Sequence, residues 1–362
     1  MFTHLHCHCS HSLLDGLGNP DAWVEAAAKK NFQALAITDH GSCSSALEFY
    51  KAAKAAGITP IVGCEFYITD DPAYRPPKGE RMIRYHLLVL AKNWNGLQSI
   101  FQQLTLANQQ MYYRPLLSID QIFNFKDCGI TSACLMGLTA HPNYVDIITK
   151  IQTVYGNDFY LEVHPHWIEG QFEANKRVVT LHEMLGIKPV AANDAHYPNE
   201  EDTLTHDVLL AVQTNAKINE ADRFSFIGDG MAGLYLKTYQ EMIFSFKPWV
   251  EAGYFNIEFL HKSFVSTQEI VDKCSGLEIP KLEFALPSLK RHQVEDEAAF
   301  LMKLCMDGWK AKIAGRSLDE TVYVKRLKHE LGVVSKIGAI RYFLLGWDVL
   351  DYAKSQSILC GF

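Results

Sequence analysis

"ALAITDHGSCSSALEFYKAAKAAGITPIVGCEFYI", residues 34–68, holds a whole structural repeat. A short apolar run (34–40) ends in Asp39-His40, a stretch with helical spacing (44–57) closes on Gly57, and a second apolar run (60–68) carries Glu65. Strand, helix and strand in that order predict a crossover unit with its two strands parallel. The alternation continues on both sides. Further runs stand at 2–8 (FTHLHCH), 85–91 (YHLLVLA), 129–137 (GITSACLMG), 158–166 (DFYLEVHPH) and 187–196 (IKPVAANDAH), with helical periodicity at 19–31 and 170–186. Seven strands alternating with helices predict an α/β fold with a parallel sheet, and closure into a distorted (β/α)7 barrel removes its edges. An open doubly wound sheet is the alternative. No GxGxxG or GxxxxGK[ST] loop is present, which removes the usual support for a dinucleotide or P-loop site.

The chain has 362 residues and 48% hydrophobic content, more than one core usually accommodates, so a large domain plus part of a second is expected. With 34 basic against 41 acidic residues the net charge is −7, which excludes an overall basic field and makes any DNA contact local. "MFTHLH" is not a charged-then-apolar leader, and no apolar run is long enough to span a bilayer, so no membrane partner and a cytoplasmic location are expected. The nine cysteines form no CxxC pair and are expected to be mostly buried small apolar residues.

Metal-ligating residue types mark the strand runs. His6, His8, Asp39, His40, Glu65, His86, His166, Asp194 and His196 lie in or just past them. In such folds the carboxyl ends of the strands form the active face, so these groups can converge across nearly the whole barrel sequence. His6 and His8 alternate with Cys7, which puts both imidazoles on one strand face with His4 one step deeper. The other barrel histidines, His141, His164 and His182 among them, are read as packed or hydrogen-bonded. Six histidines and three carboxylates form a nitrogen and oxygen donor set suited to zinc, manganese or iron. They exceed one ion's needs, so two or three divalent metal ions are implied, with Glu65 as a bridging carboxylate.

At these residues the sequence resembles a known family. "HLHCHCSHSLLDG", "ITDHG", "GCEFYI", "YHLLVLAKN", "YLEVHPH" and "ANDAHY" are similar to the successive motifs of the polymerase-and-histidinol-phosphatase (PHP) domain, in the version at the start of bacterial DNA polymerase III alpha subunits. "THDVLLAVQT", "LYLKTYQEM" and "RLKHELGVVSKIGAIRYFLLGWDVLDYAKSQSI" resemble that subunit's later PHP segment and the start of its palm domain. The resemblance implies metal ligands at His6, His8, Asp15, His40, Glu65, His86, His166, Asp194 and His196. One ion would take His6, His8, Glu65 and Asp194, which are also the implied catalytic residues. A second would take Glu65, His86 and His166, with His164 an alternative on the same strand face. A third would take Asp15, His40 and His196. Asp39 is expected to accept a hydrogen bond from His40 rather than to bind metal.

The activity so implied is metal-dependent phosphodiester hydrolysis, a 3′→5′ exonuclease of the proofreading type acting on a DNA 3′ end. Arg75, Lys78, Arg81 and Arg84 are candidates to hold the strand, Tyr74 and Tyr85 to stack on it. The family's paired palm aspartates have no counterpart before Phe362, so no polymerase active site is expected in this chain. The expected domains are a PHP barrel over 1–275 and an incomplete palm segment over 276–362, connected by 276–297. Trp309 to Arg341 carries eight Lys/Arg against three Asp/Glu, a local basic patch. The remaining polymerase chain and a separate exonuclease subunit are the implied protein partners. Two alternatives stay open: a structural module that assembles the polymerase, and a small-molecule phosphatase of the histidinol phosphate type.

Overall fold

The computed structural model describes residues 2–360 except 221–222, 229, 232, 282–285, 288, 290–293 and 317–318. It divides into two units, Met1–Pro280 and Lys281–Phe362. The first contains α1 (Pro20–Lys29), β1 (Ala34–Ile37), α2 (Ala46–Ala55), β2 (Thr59–Thr69), β3 (Tyr85–Ala91), α3 (Trp94–Gln109), β4 (Leu116–Ser118), β5 (Cys128–Thr131), α4 (Tyr144–Tyr155), β6 (Phe159–Val163), α5 (Glu169–Leu185), β7 (Lys188–Ala191), α6 (Thr203–Gln213), α7 (Tyr239–Glu251) and α8 (Ile257–Cys274). The second contains α9 (Glu297–Lys312), α10 (Glu320–Lys336) and α11 (Ile340–Ser355).

The strands form one curled sheet in the order β1-β2-β3-β5-β6-β7, with β4, which the sequence pattern missed, added beside β2. The β1–β2, β5–β6 and β6–β7 pairs are parallel. The expectation of an all-parallel sheet fails at β3, which runs antiparallel to both β2 and β5. The cause lies in the connection. Among its described residues the 70–84 link carries Pro72, Pro76, Pro77 and Gly79 and no helix, and without a crossover helix the chain returns antiparallel.

Residues 2–8, expected as the first strand, form no continuous ladder, yet they tie the two edges of the sheet together. The Ala36 and Thr38 amides donate to the carbonyls of His4 and Cys7 on one side. On the other, Ala195 N donates to His6 O, and His8 N donates to Ala195 O. The strand faces alternate as the pleat requires. Ala34, Ala36, Leu88, Leu90 and Val190 point into the barrel, where Ile270, Val271 and Cys274 of α8 pack, whereas Leu35, Ile37, Leu87 and Val89 join the surrounding layer with Trp23, Phe49 and Leu97.

In the second unit, Leu344 of α11 is buried with Leu301 of α9 and Leu289, and Leu331, Val334, Ile340 and Leu345 pack on them. Much of the 276–297 connection, His292 included, lies outside the described residues.

Candidate metal centre

The first unit gathers its histidines and carboxylates at one rim of the barrel. His6 and His8 come from the extended 4–8 segment, His40 from just past β1, Glu65 from β2, Glu162 from β6, and Asp194 and His196 from just past β7. His86 sits at the beginning of its strand rather than the end. Because β3 is antiparallel, its first residues share the rim with the last residues of the parallel strands, and His86 pairs in register with Tyr67 of β2.

Glu65 is the hub. Its Oε1 lies 3.2 Å from His6 Nε2 and 3.0 Å from His86 Nδ1, and its Oε2 lies 2.6 Å from His40 Nδ1 and 3.6 Å from His8 Nε2. Asp194 Oδ1 stands 3.2 Å from His6 Nε2 and 3.1 Å from His8 Nε2. Its backbone has φ of +52°, a left-handed conformation that Asp tolerates better than most residues. Asp15 Oδ2 is 3.1 Å from His40 Nε2, and Oδ1 is 3.9 Å from His196 Nε2. The His8 and His40 rings stack at 4.0 Å.

The turn that carries Asp15 allows no side chain at Gly16, where a Cβ would come within 2.1 Å of the Cys9 carbonyl oxygen. Leu14 takes φ of +62°, and Gly16 N donates to Ser12 O.

Charge and burial oppose each other here. Burial works against charging His6, but Asp194, Glu162 and Glu65 hold it well above its ordinary range. Burial likewise opposes charging His40, and Tyr67, Glu65 and Asp15 raise it. His8 goes the other way, down to about 3, through burial and the neighbouring His40 and His196. Burial pushes the Glu65 and Asp194 carboxyls up, yet the surrounding histidines hold both well below the carboxylate range.

The donor atoms themselves test whether metal ions fit. His6 Nε2, His8 Nε2, His40 Nδ1, Glu65 Oε2 and Asp194 Oδ1 are all buried, and none makes a well-formed hydrogen bond among the described residues. Buried polar atoms are normally paired. Lone pairs crowded within about 3 Å of one another and left unpaired are what a set of cation ligands looks like before the cation is added.

Two residues of the cluster escaped the sequence reading. Cys134 Sγ lies 3.3 Å from His86 Nδ1 and 3.6 Å from Glu65 Oε1, so with the 3.0 Å Glu65–His86 separation the three donors surround one point. Cys134 was hidden because β5 ends at Thr131, and the chain turns to the rim where the sequence pattern extends a strand. Glu162 is buried with Oε2 at 2.9 Å from His6 Nδ1 and 3.0 Å from His164 Nε2, and it accepts a hydrogen bond from the Thr131 hydroxyl. Its signal was legible: Glu162, His164 and His166 alternate along one strand face.

Other expected residues fall elsewhere. His164 is held on Glu162, whereas His166 Nε2 lies 3.2 Å from the Asn193 carbonyl and its buried Nδ1 has no hydrogen-bond partner among the described residues. His166 lines the cavity but belongs to none of the tight donor groups, which are His8-His40-His196, His6-His8-Asp194, His6-Glu162-His164 and His40-Glu65-His86. Asp39 does not orient His40. It accepts from Cys9 N, Ser12 Oγ and Ser45 Oγ, which fixes the loop behind the cluster. Tyr85 is buried against His141 rather than free to stack. His4 Nε2 lies 2.8 Å from Lys237 O, outside the cluster.

A cavity of about 380 Å³ opens onto Asp15, His40, His86, Asp194 and His196, walled on one side by Phe224, Phe226, Met231 and Leu234. A larger one, about 880 Å³, lies beyond Trp167 and Met231 and contains none of the histidines. The smaller is the one that meets the cluster, with the unpaired donors of His40 and Asp194 among its lining residues.

Residues 4–166 match the PHP domain family, and residues 299–362 match the family described as the bacterial DNA polymerase III alpha NTPase domain. The chain is 32% identical over 375 residues to DNA polymerase III subunit alpha of Borreliella burgdorferi, covering 99% of this chain and 31% of that protein. It is 30% identical over 380 residues to the same subunit of Aquifex aeolicus, covering 99% and 32%. The chain thus spans about a third of the length of the relatives it matches. A solved amidohydrolase from Chromobacterium violaceum aligns loosely, at TM-score 0.36 and 16% identity over 55% of this chain and 89% of that one. By sequence the chain is similar along its length to about a third of DNA polymerase III alpha subunits, and the barrel that carries the cluster matches the PHP domain family over residues 4–166.

Proposed function

We propose that the barrel is a metal-dependent phosphodiesterase that removes nucleotides from a DNA 3′ end in the 3′→5′ direction, the proofreading sense. The observation that carries this reading is the set of unpaired buried donors around Glu65. Residues His6, His8, Glu65 and Asp194 would hold one divalent ion, and Glu65, His86 and His166 a second, with Cys134 beside them. Asp15, His40 and His196 would hold a third. The donor set suits zinc, manganese or iron. When bound, such ions neutralise the phosphate and activate water near neutral pH.

The chain's own groups do the rest. Glu65 fixes the spacing of the histidines from both its oxygens. Glu162 orients His6 through its Nδ1, leaving Nε2 directed at the Glu65 and Asp194 carboxylates. Asp15 and Asp194, with side chains 19% and 17% exposed, are the carboxylates of the cluster that solvent reaches. The wall of Phe224, Phe226 and Leu234 limits access of other water.

The test is elemental analysis of protein purified without chelator, followed by assay on single-stranded DNA labelled at its 5′ end. Two or three transition-metal ions per chain and a ladder of products shortened from the 3′ end are expected. Internal cuts alone, or hydrolysis confined to phosphate monoesters, would replace this reading with an endonuclease or with a small-molecule phosphatase.

An assembly role is a second reading, carried by the second unit. Part of the apolar stripe of α11 is satisfied locally, with Leu344 fully buried and Leu345 packed on it, but Tyr342 is 65% and Val349 67% exposed. Apolar area of that kind marks an interface. The remaining polymerase polypeptide is the proposed occupant, with a separate exonuclease subunit as a further partner and the cytoplasm as the location. Hydrogen exchange across 340–355 should slow at least about tenfold when the downstream polypeptide is added. Protection unchanged on mixing excludes this face as the interface.

A further inference from the structure

Beside the metal centre two guanidinium groups share one aromatic ring. Arg84 stands 5.9 Å and Arg114 5.7 Å from the centroid of the Tyr67 ring. That ring is buried, stacked with His40 at 5.9 Å and edge-on to His86 at 5.2 Å. Arg84 comes from the link before β3, Arg114 from the segment before β4, and both are half-buried. Among the described residues neither has a carboxylate within ion-pair distance. Burial, and then the like charges of Arg114 and Arg81, pull Arg84 below the ordinary guanidinium range. Two cations partly withdrawn from water next to each other are unfavourable unless an anion joins them.

Arg114 also lines a separate cavity of about 320 Å³ that shares His40 with the cavity at the metal centre. Its other walls are Ser10, His11, Leu13, Ser42 and Ser44, and the Ser42 and Ser44 hydroxyls are linked at 2.9 Å. Guanidinium and hydroxyl groups around a small cavity match the donor requirement of a phosphate. Because the two cavities share His40, a polynucleotide with one phosphate at the metal centre can place a neighbouring phosphate in this one.

Resting on the phosphodiesterase reading above, we propose that Arg114, with the Ser42 and Ser44 hydroxyls, forms a subsite for the phosphate adjoining the one hydrolysed, and that Arg84, which shares the Tyr67 ring with Arg114, adds to its positive charge. The subsite selects a polynucleotide strand over a substrate with one phosphate. Arg114 is absent from the sequence-derived strand-holding set, because it is 30 residues from Arg84 and joins it only through Tyr67.

The experiment compares the wild-type chain with Arg84→Gln/Arg114→Gln in two measurements. In the first, the protein is freed of metal with chelator, and binding of a fluorescein-labelled single-stranded oligonucleotide is followed by anisotropy at several salt concentrations. The double variant should bind at least about tenfold more weakly. Its salt slope should fall by about 0.7, the loss of one phosphate contact on a single strand. In the second, metal-loaded protein is assayed on the oligonucleotide and on bis(4-nitrophenyl) phosphate. The loss in kcat/KM on the oligonucleotide should exceed that on the one-phosphate ester by at least about tenfold, mainly through KM.

Unchanged binding and salt slope, or equal losses on both substrates, overturn the subsite. If the wild-type chain hydrolyses neither substrate, the phosphodiesterase reading fails, and the binding measurement on metal-free protein still decides the subsite. Should the double variant not fold, Arg114→Gln alone carries the same test, with at least an about threefold loss of binding expected.

Discussion

Replacing Glu65 with Gln is expected to reduce hydrolysis by about 10³-fold or more, about 4 kcal/mol of transition-state stabilisation, while the barrel remains folded. No other carboxylate in the cluster serves as many partners. Its two oxygens lie within 3.6 Å of His6, His8, His40 and His86. Gln keeps the shape but exchanges one anionic oxygen for an NH2 group, which has no lone pair for a cation. The two proposed ions that share this side chain lose a ligand together. Elemental analysis should find at least one ion fewer per chain than in the wild type, and far-ultraviolet circular dichroism should be unchanged. A Glu65→Gln protein that retains its full metal content and works within about tenfold of the wild-type rate would falsify the bridging role.

Stripping the ions with chelator is expected to lower Tm by on the order of 10 °C, since a ligand held at about a thousand times its Kd contributes about 4 kcal/mol. The size of this gap should depend on pH. In the metal-free chain His6 and His40 are held well above 6.5 by the carboxylates around them. Their contribution is fully present below 6.5 and is lost as pH rises through the raised values. Glu65 and Asp194 are held well below their ordinary values of 4.5 and 3.8, so their contribution is present above those values and is lost as pH falls toward the depressed ones. His8, pulled down to about 3, acts the other way and loses its contribution as pH falls below 6.5, so the metal-free cluster contributes most near its histidines' ordinary value of 6.5.

The loaded protein behaves oppositely, because protons compete with cations for the same imidazole nitrogens and metal affinity falls with pH. The Tm difference between loaded and stripped protein should widen from about pH 6 to about pH 8.5. Differential scanning fluorimetry with and without chelator measures it. A difference that is absent, or that narrows over this range, contradicts metal occupancy of the cluster.

Much of this chain was legible before any coordinates. The repeat at 34–68 announced strand, helix and strand, and the period-2 placement of His6 and His8 announced a ligand-bearing face. The helix spans at 19–31, 44–57 and 170–186 were visible as apolar periodicity, and α1, α2 and α5 occupy them within one or two residues at each end. These are local properties, set by spacing along the chain, and they need no knowledge of what lies opposite.

What the sequence could not decide was direction and convergence. Nothing in "YHLLVLA" says that β3 runs backwards, yet only that reversal brings His86, at the strand's beginning, to the same rim as Glu65. A hydrogen-bond ladder accepts either direction, and the choice fell to a link with no helix to carry the chain across. Cys134 read as a buried apolar cysteine because its role depends on where the chain turns after Thr131. Glu162 was visible as a face residue but not as the partner of His6, 156 residues away. Arg84 and Arg114 became a pair only through a ring that neither adjoins in sequence. The chain's local pattern determined which residues are capable of chemistry. Tertiary packing alone decided which of them meet, because electrostatic and ligand interactions act over a few ångströms of space and take no account of sequence distance.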